Sequence, residues 1–420
     1  MSIDKQIREK AKDLLYSNLK RGYSSWKKTT YSYVCPARKV YPGQFFWDSC
    51  FHAVVWTHFD LYQAKEEIKT LLKAQELDGF VPHVIFWQGA IPYWGLLESD
   101  ATFKPRTSSL IQPPLLAYSV QRIYQKDKDN QFLAEVYPSL KKYYDWVLRE
   151  RDPDEDGLVA LISPNESGMD EKPSFDLVCG INRSSKLALH FACRRVDLLN
   201  KFYGYDSKVI LEKDYFNVED VSFNSIFAFG LNSLAKLSSI LGEDEDEKRY
   251  KKIYKKTLKS LIDKCYDPND GFFYDIYSKF ETKLRVKTVG GLLPLILEDL
   301  PKSIVEILVK EHFLNEDEFY LPYPIPSVAK NESSFHPEDQ AFTLSHLLWR
   351  GPTWINTNWF VFMGLKSHSF DKEAKHLLEK TKEMVLKSGF REYYNPFTAE
   401  GYRSENFGWS TLLVDMLESQ

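Results

Sequence analysis

Apolar residues recur at steps of three and four along most of the chain, the spacing that places them on one face of an α-helix. Leu231, Leu234, Leu237 and Ile240 follow this spacing. The pattern predicts helices over residues 4–20, 49–59, 62–77, 108–126, 130–150, 184–203, 221–241, 246–263, 300–312, 353–366, 371–388 and 407–418. The short extended pieces between them are too few for a large sheet, so we expect an all-α protein.

The predicted helix ends resemble one another. Four helices are followed by a polar turn, a glycine and an apolar residue, at Gly79, Gly157, Gly271 and Gly389. Glycine readily adopts the left-handed conformation that ends a helix. About twelve helices with such ends favour an (α/α)6 barrel, a toroid whose loops gather at one end, although their irregular spacing leaves a non-repetitive helical fold open. No linker-like segment divides the chain, so we expect one domain over residues 1–420.

Composition narrows the classes of partner. The net charge of −4 comes with no basic run, which argues against nucleic acid. Five cysteines without a CxxC spacing favour free thiols in a reducing compartment, and no apolar run approaches the roughly 18 residues of a membrane span. We therefore expect a cytoplasmic protein with no membrane partner, and the sequence leaves a homo-oligomer open.

Aromatic residues make up 15% of the chain, and many lie in loops beside carboxylates and amides. Such clusters occur at residues 41–48, 86–88, 92–95 and 391–396. Sugar rings pack their C–H faces on aromatic planes while their hydroxyls bond to carboxylates and amides. These loops therefore indicate a carbohydrate site, and the aromatic-rich segments 31–44 and 86–106 are predicted lids.

Two carboxylate segments are candidates for the chemistry. Residues 165–173 place Glu166 and Asp170 around a Ser-Gly step, and Glu405 precedes the last predicted helix. Together with the Trp47-Asp48 pair and a turn at Gln112, they fit a glycosidase site with two opposed carboxylates. The acidic turn at residues 152–157 lacks the glutamate of a calcium loop and more simply ends a helix, so no metal or organic cofactor is predicted.

Six motifs, in chain order, resemble those of glycoside hydrolase family 63. They are FWDSCFHA at 46–53, GFVPH at 79–83, SLIQPP at 109–114, ESGMD at 166–170, RGPTWIN at 350–356 and ENFGWS at 405–410. The compact length is most similar to the mannosylglycerate and glucosylglycerate hydrolases of that family. The resemblance implies an (α/α)6 barrel and hydrolysis with inversion at the anomeric carbon.

The same resemblance implies roles for individual residues. Asp170 matches the general acid and Glu405 the general base. The substrate-binding residues would be Tyr41, Trp47, Asp48, Tyr93, Gln112, Glu166, Trp354 and Trp409, with Glu166 also orienting its loop and Tyr41 and Tyr93 on closing loops. Residues 171–173 and Asn165 depart from the family pattern at the edge of the site.

Three functions stay open at this stage. The first is an inverting α-glycosidase acting on mannosylglycerate or glucosylglycerate. It would need a cation for the glycerate carboxylate, and the candidates are Lys104, Arg106, Arg183, Arg194, Arg350 and Arg403. The second is a trehalase-like or other α-glucosidase acting on a neutral oligosaccharide. The third is a sugar epimerase or sugar-binding protein without hydrolytic activity.

Overall fold

Helices dominate the computed structural model, which describes residues 2–88, 106–181, 186–338 and 348–419. The α-helices in these ranges are α1 Ile3–Asn18, α2 Phe46–Trp56, α3 Leu61–Lys73, α4 Leu116–Asp127, α5 Asn130–Arg151, α6 Phe175–Val178, α7 Lys186–Phe202, α8 Ser207–Lys213, α9 Val221–Leu241, α10 Asp244–Ser260, α11 Lys302–Ile307, α12 Ile355–Ser367, α13 Asp371–Ser388 and α14 Leu413–Glu418. Short 3₁₀ or π turns occupy Pro164–Ser167, Leu261–Cys265, Val289–Ile296, Leu308–Phe313 and Gly408–Leu412. The predominantly helical character predicted from the periodicity is confirmed.

Two of the differences from the predicted helices have clear local reasons. The helix predicted over residues 108–126 begins at Leu116, because Pro113 and Pro114 cannot donate helical hydrogen bonds and hold the preceding turn extended. The short helix α8 is absent from the predicted set, because its seven residues are too few for a clear period. By contrast, α9 begins and ends as predicted: Asp220 accepts a hydrogen bond from the N–H of Phe223, and Gly242 ends the helix with φ +73°.

The strands are short and antiparallel throughout the described ranges. They are β1 Leu19–Ser24, β2 Thr29–Val34, β3 Gln44–Phe45, β4 Val84–Ile85, β5 Ala160–Leu161, β6 Val218–Glu219, β7 Tyr266–Asp267, β8 Phe272–Phe273, β9 Ile276–Tyr277, β10 Thr282–Lys283, β11 Arg391–Tyr394 and β12 Gly401–Glu405. They pair as β1–β2, β3–β4, β7–β8, β11–β12 and a four-stranded sheet in the order β10-β9-β6-β5.

The structure changes the predicted lid at residues 31–44. Its first four residues belong to β2, where Tyr31, Tyr33 and Val34 are buried in the core, and Gln44 belongs to β3, so only residues 35–43 form a loop. Tyr31 and Tyr33 are buried on the same face of the strand, because every second side chain points the same way. Most of the other predicted lid, residues 89–105, lies outside the described residues.

Helices α2, α9 and α12 form the interior. All eleven residues of α2 are buried, and most of α9 and α12 are as well, which is the pattern of helices surrounded by other elements. The helices α3, α10 and α13 instead bury one face and expose a charged one. One connected cluster of buried side chains runs from Ile7 to Met416. Among the described residues, no helix is long and apolar enough to cross a membrane.

Candidate active site

The start of α2 carries two of the predicted sugar-binding residues and is fixed by a third. No side chain at the N-cap position binds the end of this helix. Instead, the N–H of Trp47 donates a hydrogen bond to Oε1 of Gln112, over 3.2 Å. Both side chains are buried. The turn before Pro113 therefore sets where the Trp47-Asp48 pair projects.

Asp48 is a buried carboxyl group with spare hydrogen-bonding capacity. It is 2% exposed, and its Oδ1 has no hydrogen-bond partner among the residues that the structure describes. Burial raises the pKa of Asp48 well above its usual range, and the nearby carboxylate of Glu392 raises it further. Leaving such an oxygen unpaired is costly, so this geometry suits a carboxyl group whose partner is a ligand hydroxyl.

The loop that carries Asp170 rests on the ring of Trp47. Gly168 has φ +71°, and a Cβ atom there would lie 2.7 Å from Cη2 of Trp47. Only glycine satisfies both the left-handed backbone and this close approach. Asp170 follows two residues later and is half-buried. The loop of Asp170, the predicted general acid, therefore packs against Trp47 of α2, a predicted sugar-binding residue.

Glu166 fixes this loop through three hydrogen bonds. Its Oε1 accepts hydrogen bonds from Nη2 of Arg151 at 2.6 Å and from the N–H of Ile111 at 3.2 Å. Its Oε2 accepts one from the N–H of Ile162 at 2.9 Å. The side chain is fully buried. Because the protein engages both oxygens, this placement fits the loop-orienting role and speaks against direct contact with substrate.

Lys172, one of the departures from the family pattern, is the second anchor. Its buried ammonium group bonds to the carboxylates of Asp220 and Asp275, with Nζ 2.7 Å from Oδ2 of Asp275. Asp220 is also the N-cap of α9, so the ion pairs fasten the loop to the start of an interior helix. The charge of Lys172 is therefore balanced by two carboxylates within the protein.

The hairpin of β11 and β12 carries two glutamates on opposite faces. Arg391 and Glu405 are directly paired across it, and Nη2 of Arg391 lies 2.9 Å from Oε1 of Glu405. The side chain of Glu405 is 70% exposed. The register of the two strands is irregular between Arg391 and Tyr393, and Glu392, which lies there, is 3% exposed. The exposed, ion-paired position of Glu405 speaks against its predicted role as general base.

Glu392 lies among predicted site residues. The hydroxyl of Tyr41 donates to its Oε1 at 3.2 Å, and the N–H of Ser404 donates to its Oε2 at 3.4 Å. Nη1 of Arg403 is 3.7 Å from Oε1. Burial raises the pKa of Glu392, while Arg403, Ser404 and Tyr41 oppose that rise.

An aromatic wall joins these groups. Trp354 stacks on Trp349 with ring centres 3.8 Å apart and contacts Trp409 at 5.7 Å. Trp409 meets Trp47 edge-on at 5.6 Å, and its Nε1 donates to the backbone oxygen of Glu392 at 3.2 Å. The buried Nε1 of Trp354 has no partner in the described parts of the chain. The predicted residues Trp47, Trp354 and Trp409 therefore form one continuous surface.

The candidates for binding an anionic aglycone are distributed unevenly. Arg350 is buried and holds both oxygens of Asp176, at 2.8 and 2.5 Å, so its charge already has a partner. Arg403 lies beside the carboxylate of Glu392, whereas Arg194 lies half-buried on α7. Tyr93, Lys104 and Arg183 lie outside the described residues.

A group of three carboxylates lies elsewhere, at the end of α5. One oxygen of each of Asp152, Asp154 and Asp156 lies within 4.8 Å of the others. The N–H groups of Gly157 and Leu158 donate to Asp152 and Asp156, and Lys264 also binds Asp156. These contacts are those of an acidic turn that ends a helix, which is the interpretation the sequence favours.

Glu392 is the site residue that the sequence reasoning misses. The cluster from Arg391 to Pro396 stands out in the sequence for its aromatic residues, and its glutamate is not weighed there against Glu405. A usable signal is present, because Glu392 is a carboxylate beside two tyrosines, the combination that indicates a sugar site. Arg403 appears in the sequence only as one of several cations.

A family model and two relatives match this chain over most of its length. A family model described as a mannosylglycerate hydrolase MGH1-like glycoside hydrolase domain matches residues 41–410. The mannosylglycerate hydrolase of Thermus thermophilus is 31% identical over 416 residues, covering 91% of this chain and 96% of that protein. The glucosylglycerate hydrolase of Mycolicibacterium hassiacum is 24% identical over 417 residues, covering 89% and 91%.

A solved structure extends the similarity to three dimensions. The crystal structure of the GH63 mannosylglycerate hydrolase from Thermus thermophilus, in complex with Tris and D-glycerate, has a TM-score of 0.86 to this chain at 28% identity. The match covers 98% of this chain and 100% of that one. The family model spans most of the sequence, and this chain therefore belongs to the MGH1-like family of glycoside hydrolases.

Proposed function

We propose that this enzyme hydrolyses a small α-glycoside of glycerate, 2-O-α-mannosylglycerate or its glucosyl counterpart, with inversion of configuration. Two relatives that align over most of their length bear the names of hydrolases of these two compounds. The proposal also includes an (α/α)6 barrel formed by the whole chain as one domain, and a cytoplasmic location. The interior helices α2, α9 and α12, surrounded by one-faced helices, support that architecture.

The observation that carries the proposal is the pair of buried carboxyl groups, Asp48 and Glu392, beside an aromatic wall and the loop of Asp170. Aromatic faces and unpaired carboxyl oxygens are what a sugar ring requires of a binding site. In this arrangement Asp48 binds sugar hydroxyl groups, and the indoles of Trp47, Trp354 and Trp409 pack against the ring. Gln112 holds the position of Trp47.

Asp170 is the general acid in this mechanism. A glycosidic oxygen is a poor leaving group until it is protonated, so the acid must deliver a proton as the bond to the anomeric carbon breaks. The glycine at position 168 and the anchors Glu166 and Lys172 hold the loop in one place. A fixed loop keeps the carboxyl group aligned with the leaving oxygen.

Glu392, in place of Glu405, is the general base. It takes a proton from a water molecule, which attacks the anomeric carbon from the face opposite the leaving oxygen. Its buried carboxylate has two hydrogen-bond donors that fix its orientation, whereas Glu405 is exposed and paired with Arg391. Inversion needs room for that water, so we expect the carboxyl groups of Asp170 and Glu392 to lie about 6.5–9.5 Å apart with substrate bound.

The test is a substrate panel followed by proton NMR of the fresh product. The purified protein is incubated with mannosylglycerate, glucosylglycerate, trehalose and kojibiose. We expect hydrolysis of one or both glycerate glycosides, with the β-anomer of the free sugar appearing first. Preferential hydrolysis of trehalose or kojibiose would replace the substrate with a neutral disaccharide, and first appearance of the α-anomer would overturn inversion.

A further inference from the structure

Arg403 has a backbone conformation that arginine rarely adopts. Its φ is +55°, in the left-handed region, within β12. A residue with a side chain loses on the order of 1 kcal/mol in that region, and such residues persist where the surrounding contacts hold them. The side chain is 21% exposed. The contacts of its guanidinium group are therefore candidates for what stabilises this backbone conformation.

The guanidinium group, Tyr41 and Glu392 form a closed triangle. Nη1 of Arg403 lies 3.3 Å from the hydroxyl oxygen of Tyr41 and 3.7 Å from Oε1 of Glu392. The same hydroxyl donates to Oε1 of Glu392 at 3.2 Å, and the N–H of Ser404 donates to Oε2 at 3.4 Å. Arg403 thus lies beside Oε1 of Glu392 and Ser404 donates to Oε2. Tyr41, in the loop before β3, donates to the same Oε1.

The charges around Glu392 act in opposite directions. Burial disfavours an ionised Glu392 and raises its pKa, and the carboxylate of Glu392 in turn raises the pKa of Asp48 on α2. Arg403 and the Tyr41 hydroxyl favour the ionised form, and the carboxylate of Glu171, in the loop that carries Asp170, raises the pKa of Arg403. A nearby cation lowers the pKa of a carboxylate, commonly by about 1–3 units when it is adjacent. Arg403 therefore acts against the effect of burial on the pKa of Glu392.

We propose that Arg403 is the positioning residue of the water-activating carboxylate: with Tyr41 it fixes the orientation of Glu392 and keeps it ionised. This inference rests on the proposed function, which assigns Glu392 as general base. In this role Arg403 pairs with the carboxylate of Glu392, and it does not bind the carboxylate of a glycerate aglycone. The backbone strain at position 403 is then the cost of aiming the guanidinium group inwards.

The first test is the pH dependence of kcat/KM for mannosylglycerate in Arg403→Met. A general base works only when ionised, so activity falls as the pH drops through its pKa. Removing the cation raises that pKa, and we expect the acid limb of the profile to move upwards by on the order of one pH unit. Arg403→Lys, which keeps the charge, recovers most of the shift, and Tyr41→Phe gives a smaller shift in the same direction.

The matched control is Arg391→Met, which removes the arginine on the outer face of the same hairpin and should leave the acid limb unchanged. An aglycone-binding arginine would behave differently from a positioning one. If Arg403→Met raises KM for mannosylglycerate, spares the uncharged mannosylglycerol and leaves the acid limb in place, the proposal is overturned.

A second measurement does not depend on turnover. The carboxyl C=O stretch of protonated Glu392 is isolated as the infrared difference between the wild type and Glu392→Gln, and followed against pH. We expect its midpoint to rise in Arg403→Met; an unchanged midpoint in folded protein would overturn the proposal. If the wild type hydrolyses none of the glycosides, the proposed function fails, while this titration still decides the link between Arg403 and Glu392.

Discussion

Glu392 and Glu405 lie on opposite faces of one hairpin, although only thirteen positions separate them. Glu405 pairs with Arg391 across the two strands and is 70% exposed, whereas Glu392 is 3% exposed and faces Tyr41 and Arg403. The hairpin therefore presents one glutamate to solvent and the other to the aromatic site. This relationship yields the sharpest test of the proposed mechanism.

We expect Glu392→Gln to abolish most of the activity and Glu405→Gln to leave it largely intact. Loss of a general base typically costs about 10²–10⁴-fold in rate, and removal of an exposed ion pair has no comparable effect on chemistry. The measurement is kcat for glycoside hydrolysis, with circular dichroism to show that both variants fold. A Glu405→Gln variant as inactive as Glu392→Gln would return the base to Glu405.

Asp170→Asn removes the proposed proton donor and keeps the shape of the side chain. We expect kcat for a glycoside with a poor leaving group to fall by about 10²–10⁴-fold. An activated aryl glycoside needs little protonation of its leaving oxygen, so its hydrolysis should fall far less. Equal losses on both substrates would argue against a general acid at this position.

Gly168→Ala should lower kcat strongly while the protein still folds. The added methyl group collides with a tryptophan ring that is itself buried, so the loop must move and Asp170 moves with it. A displacement of about 1 Å can cost about 100-fold in rate. Gly242→Ala is the matched control, because φ is +73° there and nothing lies within 4 Å of the added carbon. Gly242→Ala measures only the destabilisation caused by placing alanine in the left-handed conformation, and its kcat should equal that of the wild type.

Lys172→Met should destabilise the fold strongly. It leaves the carboxylates of Asp220 and Asp275 buried without their cation, and breaking a buried pair on one side costs about 3–5 kcal/mol. Urea unfolding measures the change. Lys248→Met removes a lysine from an exposed pair with Glu245 and should leave the midpoint unchanged. Equal stability of the two variants would contradict the anchoring role of Lys172.

Glu219→Gln should stabilise the protein increasingly as the pH rises. Burial, followed by the carboxylates of Asp156 and Asp154, raises the pKa of Glu219 to about 9, and its Oε2 has no partner among the described residues. The folded state therefore keeps a proton that the unfolded chain releases at about pH 4–5, so the glutamate costs stability progressively between about pH 5 and pH 9.

The measurement for Glu219→Gln is urea unfolding of both proteins at pH 5 and pH 8. We expect the two to be similar at pH 5, and the variant to be more stable at pH 8 by up to about 4 kcal/mol. A difference that does not change with pH would show that the carboxyl group titrates normally in the folded protein.

The helical character, most helix positions and several parts of the site can be predicted from the chain alone. Helical periodicity is a local property, and α9 carries its own cap and terminating glycine, so both of its ends are visible in the sequence. Trp47, Asp48 and Gln112 can be named from motifs because each lies in a short run of neighbouring residues. The structure brings these residues together at the start of α2.

The folded arrangement was needed to establish which glutamate of the last hairpin faces the site and what partners the loop residues have. In a strand the side chains alternate with a period of two, so a shift of one residue in register reverses which face each one meets. The pairing of Arg391 with Glu405 and the irregularity beside it set that register, and neither can be read from composition. The partners of Lys172 and Arg403 likewise come from distant segments, which only folding brings within reach of their charges.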